Sequence, residues 1–372
     1  MRGALDAFVR GGACLVLDNP PPFVWDDLPV ALTNGKGYTD DERLEITFAF
    51  GCAPHHPIVQ GLTDGDFSLW GKDHYVARRC FETPQEGNAL PLLLAGTDRR
   101  GLTCTPLLEL PCGRGSWLAS TLDLLPKLLD EPRVAAVVHG IAAYRPARPA
   151  LTVGASVADD TLAVLRQVGF AGPNQETDRA LAAEMVLLDG SRLGREAVGR
   201  LASVLQSGAT VYLHDLGVEK TRAVLAALGL PGRVTDGRTG PREHDTFRHV
   251  HQLADGMTHN YLYWIVGKSK LAPWTTASLH PEPASAVVEL KDDDKAFSLT
   301  RRGAAVVYGT GAGRLVIDNL RWQLGDFDEP ERPRRYVMTM LTNLGVPLEQ
   351  GAAKRTGGDY ETDAERRERG HF

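Results

Sequence analysis

Cysteine, histidine and carboxylate residues are the groups that could do chemistry in this chain, and each arrangement implies a different reaction. Cys52 stands in Phe50-Gly51-Cys52-Ala53-Pro54-His55-His56, where two neighbouring imidazoles could lower the pKa of a thiol. A nucleophilic thiol of an α/β fold sits on a strained strand-to-helix elbow, with His and Glu partners elsewhere in the fold. Pro54 prevents such an elbow from running into a helix, and residues 150–372 contain no cysteine. Asp64, Asp66, Asp73, Glu109 and Asp123 are the carboxylates from which a glycosidase pair would be drawn, facing each other about 5 to 9.5 Å apart. His244-Asp245 with His249, His251 and His259 is the densest set of metal-ligand types, but its spacing matches no zinc signature. Solvated loop histidines are expected there, with His251 holding the turn before Gly256. Gly309-Thr-Gly311-Ala-Gly313-Arg314 has the glycines of a phosphate cradle, yet Leu315-Val-Ile317 follows as a strand where a cradle opens a helix. A hairpin is expected. Trp70, Trp264, Trp274 and Trp322 could stack on sugar faces or fill a core. Trp70, Asp73, His74 and Trp264 are the candidates for touching a ligand; no catalytic residue, metal set or cofactor is expected.

The elements that would position these residues recur along the chain. Leu5-Asp-Ala-Phe-Val-Arg-Gly-Gly12-Ala13-Cys-Leu-Val-Leu17 reads as a helix end, a glycine stop and a buried strand, and Leu201 to Leu213 reads the same way. His56-Pro-Ile-Val-Gln-Gly61-Leu-Thr63 answers to His251-Gln-Leu-Ala-Asp-Gly256-Met-Thr258, with Trp70 and Trp264 following, and Gly113-Arg-Gly115 answers to Gly311-Ala-Gly313. Positions 5 and 201 differ by 196, 56 and 251 by 195, and 113 and 311 by 198, so the blocks keep their order at nearly one offset. Two copies of one domain are expected, at 1–148 and 149–348, divided near Arg145-Pro-Ala-Arg-Pro149, with 349–372 a solvated tail. In the second copy, strands at Ala150–Ala155, Glu184–Asp189 and Ala209–Leu213 alternate with helices at Asp159–Gly169, Arg195–Gln206 and Glu219–Leu228. That alternation implies a parallel, flavodoxin-like α/β sheet covered on both faces. Ala286–Leu290, Phe297–Leu299 and Ala304–Tyr308 read as antiparallel hairpins joined to the sheet, and each copy closes with a helix, Pro132–Tyr144 and Pro333–Leu344.

About fifty residues precede the Leu201 block in the second copy, but only four precede Leu5 in the first. The first copy therefore lacks its opening strand–helix–strand and would leave a sheet edge exposed, which folded proteins avoid. We expect that edge to be covered by an upstream catalytic domain or another subunit, the chain being the C-terminal part of a longer one. The 372 residues carry 41 basic and 47 acidic side chains, net −6, so no nucleic-acid surface is implied. No apolar run approaches the ~20 residues of a membrane span, and the N-terminus has no signal-peptide pattern, so the chain as it stands is expected in the cytoplasm. Five scattered cysteines make no disulfide framework.

The order of apolar strand, Gly-Gly-Ala strand start, His-Pro-x-x-x-Gly-Leu, a following Trp and a Gly-x-Gly hairpin resembles class I glutamine amidotransferase-like domains. It is most similar to the non-catalytic version attached to bacterial glycoside hydrolases, such as the trimerisation domain of family 42 beta-galactosidases. The resemblance covers nearly the whole chain as two copies. It implies a structural or assembly module of a carbohydrate-active protein, with carbohydrate and a homo-oligomer as further partners. The alternatives are a glycosidic-bond hydrolase whose catalytic residues lie upstream or among the first copy's Asp and His residues, and a separate sugar-binding protein.

Overall fold

The computed structural model describes residues 2–21, 28–30, 32, 46–97, 101–146, 148, 150–237, 246–262, 284–293, 295–324 and 331–349. Helix α1 (Arg2–Arg10) passes through Gly11-Gly12 into β1 (Cys14–Asp18). Then come β2 (Phe50–Gly51), β3 (Phe81–Glu82), β4 (Leu90–Thr97), β5 (Gly101–Cys112) and β6 (Gly115–Ser120), followed by α2 (Leu124–Lys127) and α3 (Pro132–Ala143). These strands form a six-stranded sheet in the order β1-β6-β5-β4-β2, with β3 on β5. β1 runs parallel to β6 and the other pairs are antiparallel.

The rest of the chain builds a second sheet from β7 (Val153–Ser156), α4 (Asp159–Gln167), α5 (Thr177–Ala180), β8 (Met185–Asp189), α6 (Arg195–Gln206), β9 (Thr210–His214) and α7 (Gly217–Leu228). β10 (Arg233–Thr235), β11 (Val287–Glu289), β12 (Ala296–Ser298), β13 (Ala305–Thr310), β14 (Gly313–Asp318) and α8 (Glu331–Asn343) complete it. Its order is β12-β13-β14-β9-β8-β7, parallel from β14 to β7 and antiparallel from β12 to β14. This is a mixed, flavodoxin-like α/β architecture. The local reasons are plain in the sequence. α6 buries Ala197, Leu201, Val204 and Leu205, the i, i+4, i+7, i+8 stripe of a helix lying on a sheet. β8 is buried along its whole length, as a parallel strand covered on both faces must be. α7 stops at Gly229, whose φ of +63° closes the helix in the left-handed conformation that lets an L residue in only at a cost.

The two sheets share a core. One apolar cluster runs from Leu108, Leu110 and Trp117 through Tyr336 and Met340 of α8 to Met185 and Tyr212. Backbone bonds also cross between the sheets, from Gly256 N to Cys52 O (2.7 Å) and from Gly87 N to Val168 O (3.0 Å). Arg335 of α8 is buried at this junction, donating to Thr83 O at 3.1 Å and pairing with Glu82 at 3.3 Å.

Two expectations need correction. Residues 286–290 do not pair with 297–299; β11 pairs antiparallel with β10 in a separate two-stranded ribbon. A short apolar run fixes that a strand forms and leaves its partner open. The strand at 13–17 is also less buried than expected: every residue of β1 is partly accessible and Val16 is 39% exposed.

Candidate functional site

Open α/β sheets bind ligands at the carboxyl ends of their strands, so the candidate site is built there first. In the second sheet β9 ends at His214, and Asp215 turns the chain at φ +47° before α7 begins at Gly217. This is a strand-to-helix elbow of the geometry that exposes a nucleophile. Asp215 N donates to Asp318 O at 2.8 Å, and its carboxylate accepts from Gln323 Nε2 at 2.5 Å, with Arg321 Nε at 3.4 Å. Gln323 in turn accepts from His214 Nε2 at 3.0 Å, and the imidazole stacks on Trp322 with centroids 3.9 Å apart. At the end of β14, buried Asp318 accepts from Tyr212 Oη at 2.5 Å, Tyr336 Oη at 2.9 Å and Trp322 Nε1 at 3.2 Å. Burial raises its pKa against these bonds and the nearby His214. Asp189, ending β8, accepts from Ser191 N and Oγ, Arg192 N and Ala158 N. These carboxylates are occupied in fastening strand ends, and the elbow carries no thiol.

The first sheet has the same elbow. β1 ends at Asp18, and Asn19 turns the chain at φ +46°, donating from N to Ser120 O at 2.7 Å and from Nδ2 to Leu122 O at 2.9 Å. Asn and Asp are the L residues that tolerate this conformation best, so their occurrence directly after an apolar strand is a signal that could have been read from the sequence. It was missed at both positions.

Cys52 is buried and points at Pro91 O at 3.2 Å, and burial pushes its thiol pKa well up, the reverse of what a nucleophile needs. Its neighbours turn elsewhere. His55 Nδ1 lies 2.9 Å from Asp255, across the junction between the sheets. His56 is buried, its Nδ1 accepting from Ile58 N at 3.3 Å, which leaves Nε2–H to donate to Glu109 at 3.3 Å. Glu109 is wholly buried in β5 and also accepts from Ser116 Oγ, from Tyr144 Oη at 2.7 Å and from Arg148 Nη2 at 2.9 Å. Burial works to raise this carboxyl, but the His56 bond and the Arg148 charge outweigh it and carry its pKa down to about 2. The sequence singled out Glu109 only as one available carboxylate; its partners come from four separate stretches of chain.

Of the four ligand candidates, Trp70 is buried in the first sheet's core and donates from Nε1 to Asp66 O at 2.7 Å, leaving no ring face for a sugar. Asp73 binds Lys127 Nζ at 2.5 Å and Arg78 Nη2 at 2.5 Å; the Lys127 bond leads in drawing its carboxyl below the usual range. Exposed His74 turns the same loop at φ +64°. Lys127 is nearly buried and also donates to Trp70 O at 3.0 Å and Tyr75 O at 2.5 Å, so it ties the loop from 70 to 75 together. Lys127→Met should leave these acceptors without their donor and cost about 1–3 kcal/mol, read as a lower urea midpoint. An unchanged midpoint would show the loop to be held by other contacts. Trp264 lies outside the described residues, as do Trp274, His244 and Asp245.

The remaining histidines are not solvated as expected. His251 is partly buried; its Nδ1 accepts from Leu253 N at 3.1 Å, capping the 252–254 turn, and burial leads in bringing its pKa down to about 4. His249 is likewise lowered by burial first, and exposed His259 accepts from Phe247 N at 3.2 Å. Among the described residues no group of three or more His, Cys, Asp or Glu is placed to hold a metal, and no helix is long and apolar enough to cross a membrane. The glycines at 309–313 form the turn between β13 and β14, whose pairing closes at Thr310 and Gly313.

The fold and these strand ends define a mixed α/β protein of flavodoxin-like type. No family model matches the chain, and no curated protein matches it. Among solved structures it is similar to a GMP synthase subunit from Thermoplasma acidophilum, at 9% identity and TM-score 0.31, over 50% of this chain and 94% of that one. It is also similar to a beta-galactosidase from Rahnella sp. R3, at 12% identity and TM-score 0.32 over 59% of this chain, and to a GH42 beta-galactosidase from G. stearothermophilus, at 12% identity and TM-score 0.25 over 60%. The matched part spans 34% and 35% of those two beta-galactosidase chains.

Proposed function

We propose that the chain is a non-catalytic structural and assembly module of a carbohydrate-active protein, made of two tandem copies of one domain at 1–148 and 149–348. The sequence resemblance supplies the carbohydrate context. In favour of two copies, Asn19 and Asp215 make the same elbow, and His56 and His251 each accept from the backbone N–H two residues on. A non-catalytic role is favoured by elbows that carry an amide and an engaged carboxylate where a thiol nucleophile would stand.

The observation that carries the assembly role is the outer edge of β1. Among the described residues only β6 pairs with this strand, whereas β9 lies between β14 and β8. At the corresponding positions Val16 is 39% exposed and Tyr212 3%, and Phe8 is 60% exposed and Val204 9%. An apolar strand lying parallel to β1, as β8 lies beside β9, covers both the unpaired backbone and these side chains. Its source is a preceding catalytic segment or another subunit.

A photoreactive residue at position 16, used in the assembly purified from native cells, tests this. Cross-linking to a strand of a glycoside-hydrolase polypeptide is the expected result. Absence of any cross-link, or cross-links only to proteins without carbohydrate chemistry, overturns the proposal. So would turnover of nitrophenyl glycosides by the chain alone that disappears on replacing one of its own carboxylates.

A further inference from the structure

A cavity of about 610 Å³ lies between the two sheets, at the amino ends of β6 and β14 and thus opposite the strand ends described above. Four guanidinium groups line it: Arg10 at the end of α1, Arg114 in the β5–β6 turn, Arg148, and Arg314 at the start of β14. Among the described residues no Asp or Glu is in its wall. Two of the four have carboxylates in ion-pair contact from outside the wall, Arg10 with Asp6 at 2.7 Å and Arg148 with Glu109 at 2.9 Å. Glu349 also lies near enough to Arg10 to favour its charge. Among the described residues Arg114 has only a backbone acceptor, Gly11 O at 2.9 Å. Arg314 is partly buried, and among the described residues its guanidinium has no hydrogen bond and no ion pair. Arg148 Nε is buried and likewise has no hydrogen-bond partner there.

Removing a guanidinium from water without an anion to receive it is unfavourable, and folded proteins pair such groups. Planar arginine forks suit the oxygens of a phosphate, and the volume is that of a small-molecule site. We propose that this cleft binds a small organic phosphate, with the phosphate held by Arg114 and Arg314 and its body between Tyr144, Leu151 and Gln252. The proposal is independent of the assembly role and of the strand edge at β1.

Calorimetric titration of the full chain with glucose 6-phosphate, inorganic phosphate, glucuronate and glucose tests it. Both phosphates should bind saturably, glucose 6-phosphate more tightly, with affinity falling as salt rises; glucose should not bind. Arg314→Gln and Arg114→Gln should each weaken glucose 6-phosphate at least tenfold. Neither residue holds Glu109, and Arg114 is exposed, so that variant keeps the test alive if Arg314→Gln fails to fold. Absence of saturable phosphate binding overturns the proposal, as does preference for glucuronate or unchanged affinity in the folded variants.

Discussion

Gly115→Ala and Gly313→Ala are each expected to cost more than about 3 kcal/mol, enough to leave little folded protein at 37 °C. A Cβ on Gly115 would stand 2.1 Å from Val9 O and 2.2 Å from Ala13 O; one on Gly313 would stand 2.3 Å from Leu205 O and 2.5 Å from Ala209 O. Both obstacles are backbone carbonyls at a helix end and the turn into the neighbouring parallel strand, so no side-chain rotation relieves the overlap. The helix must lift off its sheet or the hairpin must shift, and either breaks the pairing of β1 with β6 or of β9 with β14. Gly199→Ala provides the contrast. It lies within α6 with nothing within 4 Å of the added carbon, so alanine should stabilise by roughly 0.5–1 kcal/mol. Urea melts of the three variants separate steric exclusion from helix propensity. Native-like stability of Gly115→Ala would falsify the close approach of α1 to β6.

The parts of the fold legible in the sequence are those governed by local rules. Helix stripes such as Ala197, Leu201 and Val204, and the stop at Gly229, place α4, α6 and α7 to within a residue or two of where they form. The β13–β14 hairpin follows from glycines leading into a strand. What local rules leave open is which strand finds which partner. β11 pairs with Arg233–Thr235, some fifty residues earlier in the chain, and nothing in Val287-Val288-Glu289 names that partner. The same limit governs the site. Trp70 in isolation suits a sugar platform or a core, and only the packing of Phe67, Val76 and Leu122 around it decides for the core. Glu109, in Leu107-Leu-Glu-Leu-Pro111, looks like one acid in an apolar strand until residues 56, 116, 144 and 148 are brought around it. The arginine cleft is assembled from four distant positions in the same way.

Arg148→Ala is expected to cost about 3–5 kcal/mol, because it leaves the wholly buried Glu109 carboxylate without its closest cation. The loss should depend on pH in a definite direction. Glu109 titrates at about 2 in the folded chain against an ordinary 4.5, so the unfolded chain takes up its proton first as pH falls. The group's contribution, about 3 kcal/mol from that difference, is complete above pH 4.5 and is lost as pH falls towards 2. Without Arg148, burial regains weight and the carboxyl moves up, so acid unfolding of Arg148→Ala should begin at a higher pH than that of the wild type. Replacing both partners by apolar residues, Glu109→Leu with Arg148→Met, should recover part of the loss, since the cost lies in an unpaired buried charge more than in the missing attraction. Acid and urea titrations of the wild type and both variants decide the matter. If Arg148→Ala alone unfolds at the wild-type pH and urea concentration, then His56, Ser116 and Tyr144 suffice to hold the carboxylate, and Arg148 is free to turn wholly towards the cleft.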